Sequence, residues 1–322
     1  MTGSVIGQVQ YLYRVSGIRA IGESRHGLKA RARAAGARTS RDIAAVCPVT
    51  GYGTLDKYRE VAILFGRWIK EEYGCRWDIE ATTKDNVRYF LTHYIDLGVS
   101  LRTWRTYASA LNKLALALTM YSLKTGAGVT YDFRSAIDSL RRVAAAELEL
   151  DDETREYGDP ARLIANIEDV RCHVAAAVQS EGGARIREAG LIGADQLRGT
   201  GVDDVTGRAI GKIFLPPVAA KGGRTRVISV ATQTYSDLSE IIAREGALRI
   251  DHDGYRRILA KAAQATSQRY TGSHGLRYCF AQRRLKECLA GGMGEVAAML
   301  RVAQEMGHSR PGITLTYVSR AG

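Results

Sequence analysis

Residues 307–317 read GHSRPGITLTY, and the reading of the whole chain turns on this stretch. Gly307 is placed to end a helix, Pro311 and Gly312 to shape a loop, and Tyr317 follows His308 by nine residues. A tyrosine ordinarily fills a core or an interface. It becomes a nucleophile only where a base and a cationic pocket lower the cost of its phenolate. Upstream, residues 273–277 read SHGLR and open a helix that Ser273 or Thr271 is expected to cap. His274 and Arg277 then share one helix face, so that both polar tips can meet a single phosphate, while Leu276 and Phe280 point elsewhere.

Two further segments complete the set. Residues 183–188 read GARIRE, an arginine at the start of an expected helix with a carboxylate one turn later, and the three-residue spacing lets Glu188 orient Arg185. Residues 221–226 read KGGRTR and are expected in a hairpin turn, where the glycines leave Lys221 at the tip. A lysine whose pKa is lowered by its neighbours can protonate a departing alkoxide, which an arginine cannot do. Each segment alone is an ordinary surface or core feature: an ion pair, a Lys/Gly turn, a capped helix with a half-exposed histidine. In the order Arg185, Lys221, His274, Arg277, His308, Tyr317 they supply what phosphodiester cleavage needs, with two guanidiniums to hold the non-bridging oxygens as charge builds.

This ordered signature resembles the tyrosine recombinase (phage integrase) family over roughly residues 160–320. In that resemblance residues 183–188 supply the first arginine with Glu188 in support, Lys221 is the hairpin lysine, His274 and Arg277 form the H-x-x-R pair, and Gly307 with His308 precedes the nucleophile Tyr317. The resemblance implies metal-free transesterification with no cofactor. Tyr317 attacks the scissile phosphate, giving a 3'-phosphotyrosine and a 5'-hydroxyl protonated by Lys221. Arg185 and Arg277 stabilise the pentacoordinate phosphorane, and His274 and His308 position the phosphate and handle the tyrosine proton. It further implies a homo-tetramer on two double-stranded DNA sites, a Holliday junction, and in some systems accessory DNA-bending proteins. Only residues 318–322 follow Tyr317, where many members of the family carry a longer C-terminal helix. Residues 1–50 lack the strand signals of a small arm-binding domain.

The bulk numbers agree with a nucleic-acid partner. The 322 residues carry a net charge of +12, and Lys and Arg gain binding free energy by displacing the counterions condensed on phosphates. With 45% hydrophobic residues the chain is long enough to bury the cores of about two domains. Apolar runs such as 61–65 and 114–118 fall far short of the roughly 20 residues of a membrane span, and no secretory signal is read at the N-terminus. A cytoplasmic, nucleoid-associated protein is expected. The five cysteines, Cys47, Cys75, Cys172, Cys279 and Cys288, are odd in number and form no C-x-x-C pair, so neither disulfides nor zinc are expected. His26, His93, His173 and His252 sit in no ligand spacing, and Trp68 and Trp104 read as core.

The expected fold is mainly α with a small antiparallel β-sheet: a helical core-binding domain followed by an α+β catalytic domain. Residues 1–50, with eight Lys or Arg against two acids, are expected to form a basic helical extension. Residues 51–150 are expected to form the helical DNA-binding domain, with helices over about 55–73, from a Thr83 cap to Gly98, from a Ser100 cap through Leu118, and over about 131–148. An acidic stretch, 147–156, ending at Gly158 and Pro160 marks the boundary. In the catalytic domain, 151–322, one helix is expected to carry Leu163, Ile164, Ile167, Val170 and Val174. Strands over about 196–200, 212–215 and 224–230 follow, then helices to Tyr317. Two other functions fit the same residues: DNA relaxation by a type IB topoisomerase-like monomer, and a catalytically inert DNA-binding regulator of the same fold. The DNA target, and the choice between integration, excision, inversion and resolution, are not written in these motifs.

Overall fold

The computed structural model describes residues 1, 3–74, 77–149, 155–217 and 225–308. They fall into two compact units, Met1–Asp152 and Glu153–Gly322. No described helix is long and apolar enough to cross a membrane.

The first unit is helical: α1 (Val5–Val15), α2 (Arg25–Ala34), α3 (Ser40–Val46), α4 (Tyr52–Tyr73), α5 (Lys84–Asp96), α6 (Leu101–Lys124) and α7 (Arg134–Glu147). Local signals set several of these boundaries. Thr83 and Asn86 form a capping box at the start of α5, and Ser100 accepts from the Thr103 amide to begin α6. Between them Gly98 turns the chain at φ 64°, a conformation that costs a residue with a Cβ. The core gathers Phe65, Phe90, Trp104, Leu111, Leu114 and Leu118 from α4, α5 and α6. Each such side chain contributes roughly 1.5–3 kcal/mol by leaving water. The Phe65 and Phe90 rings meet edge to face at 5.1 Å, and Trp104 Nε1 donates to the Leu91 carbonyl at 3.1 Å, so the indole is buried without an orphaned N–H.

Helix α1 shares that core. Val9, Leu12 and Tyr13 are buried in it, while the Gln8 side chain donates to the Trp77 carbonyl and accepts from the Ile79 amide, both at 2.8 Å. Helix α2 buries only Leu28 and Ala32, which leaves its arginines on the outer side. Gly66, in the middle of α4, lets the Trp77 ring lie against the helix, and a Cβ there would stand 2.3 Å from the ring. Gly66→Ala is therefore expected to lose about 1–3 kcal/mol to overpacking, more than alanine's helix preference of roughly 0.5–1 kcal/mol returns. Thermal unfolding followed by circular dichroism checks this, and an unchanged or raised midpoint would show that Trp77 does not pack against Gly66.

The second unit contains α8 (Pro160–Ala165), α9 (Val170–Gly182), α10 (Ile186–Ala189), β1 (Leu191–Gly193), β2 (Leu197–Val202), β3 (Ala209–Leu215), β4 (Arg226–Ala231), α11 (Thr232–Glu245), β5 (Ala247–Arg249), α12 (His252–Ala265), α13 (Ser273–Ala290) and α14 (Glu295–Glu305). The single helix expected through Leu163 and Val174 is two: α8 ends at Ala165, and Asp169 restarts the chain by accepting from the Cys172 amide. Apolar spacing runs on across the break through Ile167, and the cap decides the boundary. Strands β2, β3 and β4 form an antiparallel meander with Ile213 opposite Ile228. A separate two-stranded antiparallel sheet pairs β1 with β5.

Helix α9 runs through the middle of this unit, with residues from Val174 to Ser180 buried all round. That all-round burial explains why it shows so little amphipathic pattern. Its Gln179 is satisfied inside the core, accepting from Tyr255 Oη at 2.7 Å and donating to the Ala184 carbonyl at 3.2 Å. Helices α13 and α14 are tied to the β2–β3 turn by Arg284, which is 7% exposed and donates to Asp203 at 2.8 and 3.0 Å and to Glu305 at 2.9 Å. This tie fixes the end of α14, from which the next residues enter the site.

Candidate active site

Four chain segments converge. Gly183 closes α9 in the left-handed conformation at φ 65°, where a Cβ would stand 2.5 Å from the Phe280 ring, so α13 can approach the α9 terminus closely. Arg185 follows as the N-cap residue of the four-residue α10, and Glu188 lies in its first turn. The carboxylate accepts from the Arg185 amide at 2.7 Å and from Arg185 Nη1 at 2.8 Å. Arg277, about one turn into α13 and 0% exposed, donates to the carbonyls of Gly183 and Met306, the latter at 2.6 Å. It thereby joins the ends of α9 and α14. Gly307 then turns the chain at φ 73°, and the His308 amide returns to the Ala303 carbonyl at 2.7 Å.

His308 is where these groups meet. Its Nε2 lies 3.2 Å from Arg185 Nη2 and 3.2 Å from Arg277 Nη2. A guanidinium only donates, so Nε2 must accept and the ring proton is assigned to Nδ1. Burial pushes the imidazole pKa down to about 4, helped by the charges of Arg277, Arg185, Arg226 and His274. Near neutral pH His308 is therefore an uncharged acceptor between two cations. His274 opens α13 one turn before Arg277, with its ring edge-to-face on Tyr278 at 5.7 Å. Neither Ser273 nor Thr271 caps this helix: the N-cap is Gly272 at φ 75°, with no side-chain hydrogen bond. Ser273 is already the first helical residue and Thr271 lies one residue before the cap, where the positive φ at 272 favours glycine.

Arg226, at the start of β4, completes the constellation without having been singled out from the sequence. Its guanidinium meets the Glu188 carboxylate with both arms, Nη2 to Oε2 at 2.6 Å and Nη1 to Oε1 at 3.1 Å, and its side chain is 7% exposed. Glu188 is fully buried between Arg185 and Arg226. Burial opposes its charge, but the hydrogen bonds and charges of the two arginines win and hold its pKa down to about 2. Strand periodicity carried the clue. Arg226 lies on the same phase as buried Ile228 and Val230, and a charge on the inward phase needs a buried partner.

The arrangement holds three guanidiniums, one carboxylate and one neutral imidazole. A net positive, partly buried pocket with preset donors suits an oxyanion whose charge grows during reaction. Among the described residues no group of His, Cys, Asp and Glu is arranged to hold a metal ion. Lys221 and Tyr317, the expected general acid and nucleophile, lie outside the described residues.

The fold has known counterparts. The structure of the XerH site-specific recombinase bound to difH substrate matches 98% of this chain and 92% of its own, with a TM-score of 0.59 at 13% identity. A lambda integrase dimer bound to a COC' core site matches 97% of this chain and 81% of its own, with a TM-score of 0.58 at 14% identity. The Tn1549 transposon integrase in complex with transposon right end DNA matches 93% of this chain and 96% of its own, with a TM-score of 0.54 at 14% identity. No protein-family model and no curated protein matches the chain. At these identities the likeness is one of fold, and the fold is that of the tyrosine recombinases: mainly α with a small antiparallel sheet.

Proposed function

We propose that this protein is a site-specific DNA recombinase that cleaves and rejoins strands through a phosphotyrosine at Tyr317. The observation that carries the reading is the pair of guanidiniums, Arg185 and Arg277, held 3.2 Å from one neutral histidine nitrogen by a fully buried carboxylate and two backbone carbonyls. Those two N–H donors can turn from His308 to the non-bridging oxygens of a phosphodiester without rebuilding the site. A phosphate placed there also adds negative charge beside His308 and raises its proton affinity. Proton acceptance then follows substrate binding.

In the step itself the Tyr317 phenolate oxygen forms a bond to phosphorus, and the bond from phosphorus to the 5'-oxygen breaks. Lys221 delivers a proton to that oxygen, and the phenol proton passes to the histidine side of the site, His308 or His274. The phosphotyrosine conserves the phosphodiester energy, so a 5'-hydroxyl from a partner duplex reverses the step without ATP. Double-stranded recombination sites, a homo-tetramer, a Holliday junction and accessory bending proteins belong to the same proposal. So do a role in DNA integration by a mobile element and a cytoplasmic location on the nucleoid. The DNA-bound neighbours and the +12 net charge support the DNA partner.

The test uses the full chain with DNA from around its own gene, nicked near candidate sites so that the cleaved end diffuses away. A protease-sensitive DNA adduct on a denaturing gel, with the DNA-linked peptide carrying Tyr317 by mass spectrometry, is the expected result. Binding without any adduct, on these fragments and on randomised duplexes, sinks the catalytic reading in favour of an inert regulator. Relaxation of supercoiled DNA by a monomer without strand exchange favours the topoisomerase-like reading.

A further inference from the structure

A second cationic site lies in the first unit and shares no residue with the candidate active site. A cavity of about 750 Å³ opens between α1 and α4 and is lined by Tyr13, Arg14, Arg19, Arg59, Tyr11 and Tyr121, among others. Two of its lining residues leave buried polar atoms unsatisfied: Tyr13 Oη and Arg59 Nε have no hydrogen-bond partner. Tyr13 is only 1% exposed, so solvent does not serve the hydroxyl. An orphaned buried donor costs about 1–3 kcal/mol, so a ligand that accepts from both is favoured by that amount for each.

The two orphans ask for the same thing. Arg59 Nε can only donate, and burial raises the Tyr13 pKa, which keeps its hydroxyl a donor. Their complement is a group that only accepts. Arg14 is engaged with the face of Tyr11 at 5.6 Å, and neither it nor Arg19 is ion-paired among the described residues. Arg59 has one exposed partner, Asp56, at 3.3 Å. Asp78 and Glu80 stand at the Met1 end of the cavity and are occupied there by the terminal ammonium. Tyr11 and Tyr121 meet edge to face at 6.2 Å beside the arginines and offer an aromatic wall.

We propose that this cavity binds a phosphate group, with Arg14 and Arg19 at the mouth and Tyr13 Oη and Arg59 Nε donating to its oxygens. The phosphate is supplied either by a DNA backbone passing the first unit or by a free phosphorylated molecule of nucleotide size. The proposal does not rest on strand exchange: a chain that binds DNA but forms no phosphotyrosine leaves it intact.

Calorimetric titration of the full chain with pyrophosphate, with ATP and with citrate separates the sources, using Arg14→Ala/Arg19→Ala and Tyr13→Phe as variants. Tyr13→Phe removes only the orphaned hydroxyl and keeps the packing, so it does not depend on the fold surviving a large change. Saturable pyrophosphate or ATP binding, weakened at least about tenfold in both variants, assigns the site to a free ligand. Absent that, a salt slope of DNA binding that falls by about one in the double variant assigns it to a backbone phosphate. Citrate binding as tightly as pyrophosphate overturns the phosphate assignment. So does the absence of pyrophosphate and ATP binding together with an unchanged DNA salt slope.

Discussion

Arg277→Ala is expected to form the covalent DNA adduct about 10²- to 10³-fold more slowly than the parent chain, the loss typical of one preorganised donor to a developing oxyanion. Binding of the same DNA should weaken only modestly, because one phosphate contact among many is lost. The asymmetry follows from how Arg277 is held. It is 0% exposed, and its fork spans the Gly183 and Met306 carbonyls while one arm also points at His308. The reorganisation energy of aiming that arm has been met by folding, so its worth appears in the transition state rather than in binding. Arg277→Lys keeps the charge but has a single ammonium head, which cannot reach both carbonyls and the histidine together. It is expected to lose nearly as much. Rates are read on nicked duplexes under single turnover, with urea midpoints measured in parallel to separate lost fold from lost chemistry. A folded Arg277→Ala chain that reacts within about tenfold of the parent rate removes Arg277 from the phosphate clamp.

The fold class was legible in the sequence, and of the residues singled out there the fold brings Arg185, Arg277 and His308 together. Arg185, Arg277 and His308 come from segments spaced through the chain, and each reads as ordinary alone; it is their order that pointed to one chemistry. What local pattern could not give was the second arginine on Glu188. Arg226 begins a strand whose alternation is written in only two apolar residues, Ile228 and Val230, and its partner lies 38 residues away. The same limit hid β1 and β5, three residues each, whose pairing joins Leu191–Gly193 to Ala247–Arg249 across the intervening β2–β3–β4 meander and α11. Strands that short carry no period. The helices of the first unit were legible where a cap and an apolar stripe coincide, as at Thr83 and Ser100. Where apolar spacing ran on without regard to the cap, as from Leu163 to Val174, it joined two helices that Asp169 separates. Residues 1–50 show the opposite failure: their arginines dominate the composition, yet Val9, Leu12 and Tyr13 bury α1 in the same core as α4 and α6.

Glu188 should matter more to the integrity of the second unit than any other single carboxylate, because one buried anion holds two guanidiniums. Glu188→Gln leaves Arg226, 7% exposed, without a counter-charge, and breaking a buried pair from one side costs about 3–5 kcal/mol. For a unit of this size that lowers the unfolding midpoint by about 6–20 °C. Replacing both partners, as Glu188→Gln/Arg226→Met, removes the stranded charge and is expected to recover much of the midpoint. The double variant should still react slowly, since Arg185 has lost the carboxylate that aims it. Stability restored without activity is the result that assigns Glu188 and Arg226 a positioning role; a double variant that regains both shows the trio to be structural filler. The pH dependence follows the same chemistry. Glu188 falls from an ordinary 4.5 to about 2 in the folded chain, so its stabilisation is complete above pH 4.5 and is lost as pH falls from there toward 2. His308 falls from 6.5 to about 4, so the unfolded chain takes up a proton that the folded one refuses, and stability begins to drop already below pH 6.5. The two groups act in one direction, and acid should unfold the parent chain through a window from about pH 6.5 down to about 2. His308→Gln should remove the upper part of that slope and Glu188→Gln the lower part, each measured as urea midpoint against pH. A parent chain whose midpoint is flat between pH 6.5 and 4 would mean that His308 is not held neutral by the guanidiniums around it.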